Sequence, residues 1–174
     1  MGIQFETDYN METLTAMAKG LRKTVRKKRS RRVHIFAAVV LILGLLTILA
    51  TVAGGEPLGA SGVVTLLALL VVILVSLFED KLNAWFARKR LLPGTEHAVA
   101  TFEEDGYVSA TGVTESRFSY AQIVAVAETA RYFVFALSSH HTQAYDKRTI
   151  RGGSVEDFRA FIAEKTGKLV EKIK

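Results

Sequence analysis

The chain has 174 residues, 49% of them hydrophobic, no cysteine and a formal net charge of +6. That length holds one modest folded domain plus a short further part, and the absence of thiols excludes disulfides and thiolate metal sites. Residues 1–32 carry nine Lys or Arg against three acids and residues 79–174 carry fourteen against thirteen, so the excess charge sits in one place and no nucleic-acid partner is expected.

Taken in chain order, the first element is a short strand. Ile3, Phe5 and Thr7 alternate with Gln4, Glu6 and Asp8, the period of a half-buried strand. No hairpin partner lies nearby, and an unpaired strand leaves its backbone groups unsatisfied. The strand is therefore expected to join a sheet much further along the chain. Asn10 is a helix cap with Glu12 favourable in the first turn, and Met11, Leu14, Ala18, Leu21 and Val25 recur on one helical face. No proline intervenes before Ala53, so the pattern predicts one long helix from Met11 to Ala53. Its weak point is Gly20, about 1 kcal/mol less favourable than Ala.

From Val33 to Ala53, and again from Leu58 to Phe78, the chain carries no Lys, Arg, Asp or Glu. Each run of 21 residues makes about 31 Å of helix, the thickness of a bilayer's hydrocarbon core. Both are read as transmembrane helices. The first lies behind a 32-residue polar leader, unlike a secretory signal peptide, and Glu6 stands where a myristoylation motif needs Ser or Thr. Eight basic residues, Arg22, Lys23, Arg26, Lys27, Lys28, Arg29, Arg31 and Arg32, crowd before the first span, and Arg88, Lys89 and Arg90 follow the second. The loop Gly54–Pro57 has none. By the positive-inside rule both flanks are cytoplasmic and residues 54–57 form the extracytoplasmic turn. Eight cations exceed what orientation requires. At about 1 kcal/mol each near an anionic leaflet, they are candidate lipid-headgroup residues.

Apart from His34 at its edge, the spans carry no ionisable group, which argues against transport. Ala50 with Gly54, and Gly44, mark close approach either within the hairpin or in a homo-oligomer. Pro57 suits the first position of the second helix. That helix is expected to continue as EDKLNAWFARKR, with Phe78, Leu82, Trp85, Phe86 and Lys89 on one face, until Pro93-Gly94 ends it. Its extension is expected to lie beside the helix from Met11 as a stalk. Trp85 has two readings, a membrane-interface anchor or a side chain packed on the first helix's stripe, and it is kept as a candidate anchor.

From Glu96 the texture becomes β-rich. HAVATFEEDGYVSATG reads as two short strands joined at Glu104-Asp105-Gly106, and SRFSY, QIVAVAE, RYFVFAL and TQAYDKRTI follow as strand-like runs. Ser154 with Asp157 caps a helix presenting Phe158, Phe161 and Ile162, which Gly167 stops. Five or six antiparallel strands under one helix make a small α+β domain. The tail KLVEKIK is too short to assign. His140 and His141 are read as a solvated turn, Glu103, Glu104 and Asp105 as a solvated hairpin tip, and the Gly-rich loop between the spans matches no phosphate-binding pattern. No catalytic residue, metal or cofactor is expected.

This order of parts, with ATFEEDGYVSATG, FSYAQIVAVAETARYFVFAL, and YDKRTI followed by VEDFRAFIAEK, resembles the YcxB-like family of bacterial membrane proteins. The family typically has Pro before the Lys-Arg pair, where this chain has Asp146 before Lys147 and Arg148. The resemblance implies a pleckstrin-homology-like (PH-like) C-terminal domain and no enzymatic activity. The expected organisation is residues 1–32 as strand and basic juxtamembrane helix, 33–53 and 58–78 as spans around the 54–57 turn, 79–94 as a cytoplasmic helical extension, and 95–174 as the PH-like domain. The expected protein is a multi-pass cell-membrane protein with both termini cytoplasmic. It would serve as an interaction module binding a protein or anionic phospholipid; the alternative is a small immunity or resistance protein acting against a toxin or bacteriocin.

Overall fold

The computed structural model describes residues 2–173, so Met1 of the 1–32 segment and Lys174 of the 95–174 segment lie outside the described residues. The chain is α+β. Strand β1 (Ile3–Asp8) is followed by four helices, α1 (Met11–Lys23), α2 (Lys27–Ala53), α3 (Ala60–Leu77) and α4 (Glu79–Lys89). Then come β2 (His97–Phe102), β3 (Tyr107–Thr111), β4 (Glu115–Phe118), β5 (Ala125–Glu128), β6 (Tyr132–Ala136), β7 (Thr142–Asp146), α5 (Val155–Thr166) and β8 (Val170–Lys172). Two four-stranded sheets run in the orders β1-β2-β3-β4 and β7-β6-β5-β8.

The N-terminal strand does cross to the distant sheet. β1 pairs antiparallel with β2 along its whole length, Ile3 opposite Phe102 and Asp8 opposite His97. Its other edge meets the segment that follows β7, where Glu6 N–H donates to Thr149 Oγ1 at 3.0 Å and Gln4 exchanges backbone hydrogen bonds with Arg151. Both rows of β1 backbone groups are thus satisfied, and all four helices α1–α4 are an insertion between two neighbouring strands. The tail left unassigned by its sequence forms β8, parallel to β5. From residue 97 on that makes seven strands among the described residues, where five or six antiparallel ones are expected. Three residues are too few to show a period, and β8 exists because β5 offers it a free edge.

Between the sheets Phe5, Phe102, Phe133, Phe135, Tyr145 and Phe158 form one aromatic core. Phe5 sits 4.6 Å from the Phe158 ring and 5.7 Å from Tyr145, so β1 contributes a central core residue. Helix α5 closes one end with Phe158 and Ile162. Its Ser154 Oγ and Asp157 form the expected capping box, and Gly167 ends it at φ +63. On the far face of the second sheet, α1 covers Ala127, Tyr132, Val134 and Ala144 with Ala16 and Met17. That is why all five residues of β6 are buried and the strand reads as an unbroken apolar run.

Three expectations about the helices are corrected. The long helix from Met11 to Ala53 is broken at Thr24–Arg26, where Thr24 leaves the helical region at φ −105, ψ −94 and its hydroxyl bonds back to Gly20 O at 2.7 Å. α3 begins at Ala60, not at Pro57–Leu58, because the extended Gly59 takes the cap position. α1 and α4 do lie side by side, joined where Arg22 donates two hydrogen bonds to Asp80 (2.7 and 2.6 Å). However, Ala84 is the α4 residue buried, while Leu82, Trp85 and Phe86 stay outward. α1 meets the sheet through Ala16, Met17 and Gly20, and α4 meets α1 through a small residue and an ion pair.

α2 and α3 are each long and apolar enough to cross a bilayer. Their large side chains point outward, among them Phe36 at 71% and Leu77 at 73% exposure, and only Leu69 is buried. Leu69 fits the space over Gly44, where a Cβ would come within 2.6 Å of it. Gly44 therefore serves packing within the hairpin, whereas Gly54 lies only against carbonyls of its own helix.

Candidate functional site

The site is built where the two long helices leave the domain. α1 arrives with Arg22 and Lys23 in its last turn; the Thr24–Arg26 turn then redirects the chain and places Lys27–Arg32 on the first turns of α2. The turn divides the eight basic residues into three kinds. Arg22 is spent on structure. It is bonded to Asp80 and lies 3.8 Å from Glu79, and the Asp80 hydrogen bonds raise its pKa above the ordinary guanidinium value. Arg26 is fixed without being neutralised, since Nε donates to Ser139 O at 2.6 Å and an Nη2 hydrogen meets His140 Nδ1 at 2.9 Å. Lys23, Lys27, Lys28, Arg29, Arg31 and Arg32 have no carboxylate within ion-pair distance among the described residues.

Arg22, Arg26 and Arg29 line a cavity of about 440 Å³, with Leu14, Met17 and Leu21 of α1 on one side and His140 and His141 on another. Ser30 and Val33 carry its wall up α2 to the first residue of the apolar run. Glu79 is the carboxylate in its lining, held at 3.8 Å by both Arg22 and His34. The histidine pair read as a solvated turn is exposed, yet the β6–β7 turn it sits in is a structural partner of Arg26. Nothing in the sequence spacing announces a contact across 114 positions. Trp85 remains 45% exposed, edge-on to Phe86 at 4.9 Å and with Lys89 Nζ 3.6 Å over its ring. It does not pack on the α1 stripe.

A second, larger groove of about 890 Å³ runs along α1 beside the β5–β6 turn and β8, with Ala16, Ala130 and Tyr132 among its lining residues and Lys19, Lys81 and Lys172 at its edge. The charged groups in its depth satisfy one another. Glu128 accepts from Lys147 (2.9 Å) and Arg159 (2.7 Å), and Arg131 donates to Asp146 and Glu12. Asp146 also caps the turn after β7 and accepts from Arg148. Its carboxylate is shared by Arg131 and Arg148. Among the described residues no group of His, Asp or Glu is arranged to hold a metal ion.

Compared with known families, residues 102–162 match the family described as YcxB-like protein. This segment is similar to that family. The YcxB-like match runs from the last residue of β2 into the final turns of α5, and so takes in β3 and β4 of the first sheet and β5, β6 and β7 of the second. It leaves out β1 and the helices α1–α4, including the basic turn. No curated protein and no solved structure matches the chain.

Proposed function

We propose that this chain is a membrane-anchored, non-enzymatic interaction module whose helical hairpin holds a YcxB-like, PH-like domain against the cytoplasmic leaflet, where it binds anionic lipid and a protein partner. One observation carries the reading. The polar–apolar boundary of the hairpin coincides with the place where uncompensated cations gather beside the domain. α2 and α3 expose an apolar surface that water does not tolerate on this scale. Lys23, Lys27, Lys28, Arg29, Arg31 and Arg32 begin just below it, with no acid to neutralise them. Cations so placed are attracted to anionic headgroups and favour the cytoplasmic side. Two four-stranded sheets closed at one end by α5 agree with a PH-like fold. Its buried acids, Glu128 and Asp146, are engaged in internal ion pairs and are not aimed at a substrate.

The test is topology. Single cysteines at Glu56 and Asp105 are expected to react with an impermeant maleimide from opposite sides, position 56 only from outside the cell and position 105 only after the membrane is opened. Labelling of position 56 from inside alone overturns the orientation. Extraction of the protein by carbonate, without detergent, overturns the anchoring.

A further inference from the structure

The cavity at the root of the hairpin is more than part of a charged surface. We infer that it is a discrete binding site for the phosphate of a single phospholipid headgroup, with Arg26 and Arg29 as the phosphate ligands. This rests on the inner-leaflet reading above and deepens it.

Arg26 carries the argument. A guanidinium has five N–H donors. Two of Arg26's are used, and both go to neutral acceptors, the Ser139 carbonyl and His140 Nδ1. Its position is therefore fixed from the domain side while its full charge and three donors remain for another partner. Structural arginines in this protein look different: Arg22, Arg131 and Arg159 each meet a carboxylate within 3 Å. Arg29, three residues on in the first turn of α2, lines the same cavity and has no hydrogen-bond or ion-pair partner among the described residues. Two guanidiniums lining one cavity, one already immobilised, suit the tetrahedral oxygens of a phosphate, which guanidinium forks bind with two parallel hydrogen bonds. The first-turn N–H groups of α2 add positive potential near Arg29.

The rest of the cavity identifies an amphiphile. Val33, one turn beyond Arg29, begins the apolar run, and Leu14, Met17 and Leu21 make the opposite side apolar. A phosphate between Arg26 and Arg29 leaves the apolar part of its lipid directed along Val33 and the surface of α2. At about 440 Å³ the space takes a headgroup and its glycerol, with the acyl chains outside. The cations that do not line the cavity, Lys27, Lys28, Arg31 and Arg32, supply general attraction to the leaflet and no site.

The experiment counts lipids on the full-length protein in uncharged detergent by native mass spectrometry. It is titrated with phosphatidylglycerol, phosphatidylcholine or glycerol 3-phosphate. The wild type is expected to retain one phosphatidylglycerol that survives removal of the weaker adducts. Retention should weaken about tenfold or more in R26Q/R29Q and by less than about threefold in R31Q/R32Q, which loses the same charge. H140A, which removes the acceptor that fixes Arg26 and leaves every arginine in place, should weaken it severalfold. Unfolding temperatures of all variants identify any that have lost the domain, and R26K, which keeps the charge and loses the fork, then stands in for R26Q. Equal losses in the two double variants overturn the discrete site and leave the leaflet reading intact. Binding of glycerol 3-phosphate as tight as that of the lipid overturns the phospholipid in favour of a soluble phosphate. No preference for phosphatidylglycerol over phosphatidylcholine in any variant overturns both this inference and the anionic-leaflet reading.

Discussion

The carboxylate of Glu128 is 5% exposed and lies between Lys147 Nζ at 2.9 Å and Arg159 Nε at 2.7 Å. The hydrogen bond from Arg159, helped by Lys147 and opposed by burial, draws its pKa from 4.5 down to about 2. A carboxyl whose folded pKa lies below its unfolded one contributes stability that is complete above the unfolded value and lost as pH falls through the folded one. The domain is therefore expected to lose stability between about pH 4.5 and 2. Glu128→Gln should destabilise it by about 3 kcal/mol at neutral pH, because two largely buried cations lose their partner, and should flatten this acid limb. Denaturant unfolding at pH 7 and pH 3 tests both; an unchanged acid limb in the variant would assign the loss to other carboxyls. Gly20 gives a second residue-scale test. Read as helix propensity, Gly20→Ala should stabilise α1 by about 1 kcal/mol. In the folded protein a Cβ at this position comes within 2.7 Å of Val134 Cγ1 and 3.0 Å of its Cβ, a branched side chain held in a strand. Crowding of this kind costs about 1–3 kcal/mol, so the substitution is expected to destabilise. A higher unfolding temperature for the variant would show that the strand yields. The glycine was visible in the sequence, but its reason lies across the fold in β6.

At the scale of the element, β1 shows how far local pattern reaches. Its alternation and its lack of a nearby partner were enough to send it to the distant sheet. Its place as an inserted neighbour of β2, and the burial of Phe5 at the middle of the aromatic core, follow from tertiary closure alone. Phe5→Ala is expected to cost about 3–5 kcal/mol, a core-sized loss from a residue near the chain's beginning, measurable as a lowered denaturant midpoint. Slow amide exchange from Gln4 to Thr7 should match that of β2, whereas fast exchange there would show that the strand frays. Capped elements were also legible, since Ser154 with Asp157 and Asn10 with Glu12 sign their own starts. The break between α1 and α2 was not. Thr24, Val25 and Arg26 are ordinary helix residues in sequence, and the turn is imposed because α1 packs on the sheet where Gly20 meets Val134, while Arg26 is drawn to the β6–β7 turn. The candidate site divides the same way. All eight basic residues could be named from the sequence, but which of them face His140 depends on that break.

On the scale of the whole molecule, the hairpin is an insertion into a domain that closes without it. β1 and β2 are sheet neighbours, and α1 and α4 return toward them side by side. Where the long helices depart, the Arg22 and Asp80 side chains touch, so the backbone ends of α1 and α4 are close together. No core residue between the sheets comes from α2 or α3; the one buried side chain there, Leu69, packs within the hairpin on Gly44. Replacing residues 26–77 with a flexible linker of about six residues, which reaches roughly 20 Å when extended, should therefore leave a soluble domain that folds. The turn at Thr24–Arg26 would be lost with Arg26, so the excised protein should keep its core and lose the cavity at the hairpin root. It is expected to unfold cooperatively, to keep the near-ultraviolet signal of its packed aromatic side chains, and to show no preference for phosphatidylglycerol over phosphatidylcholine vesicles. The outward residues Leu82, Trp85 and Phe86 remain on α4 and will favour some self-association at high concentration. A product that is molten at low concentration would mean that the long helices hold the two sheets together, and that the domain is not the independent unit that its connectivity describes.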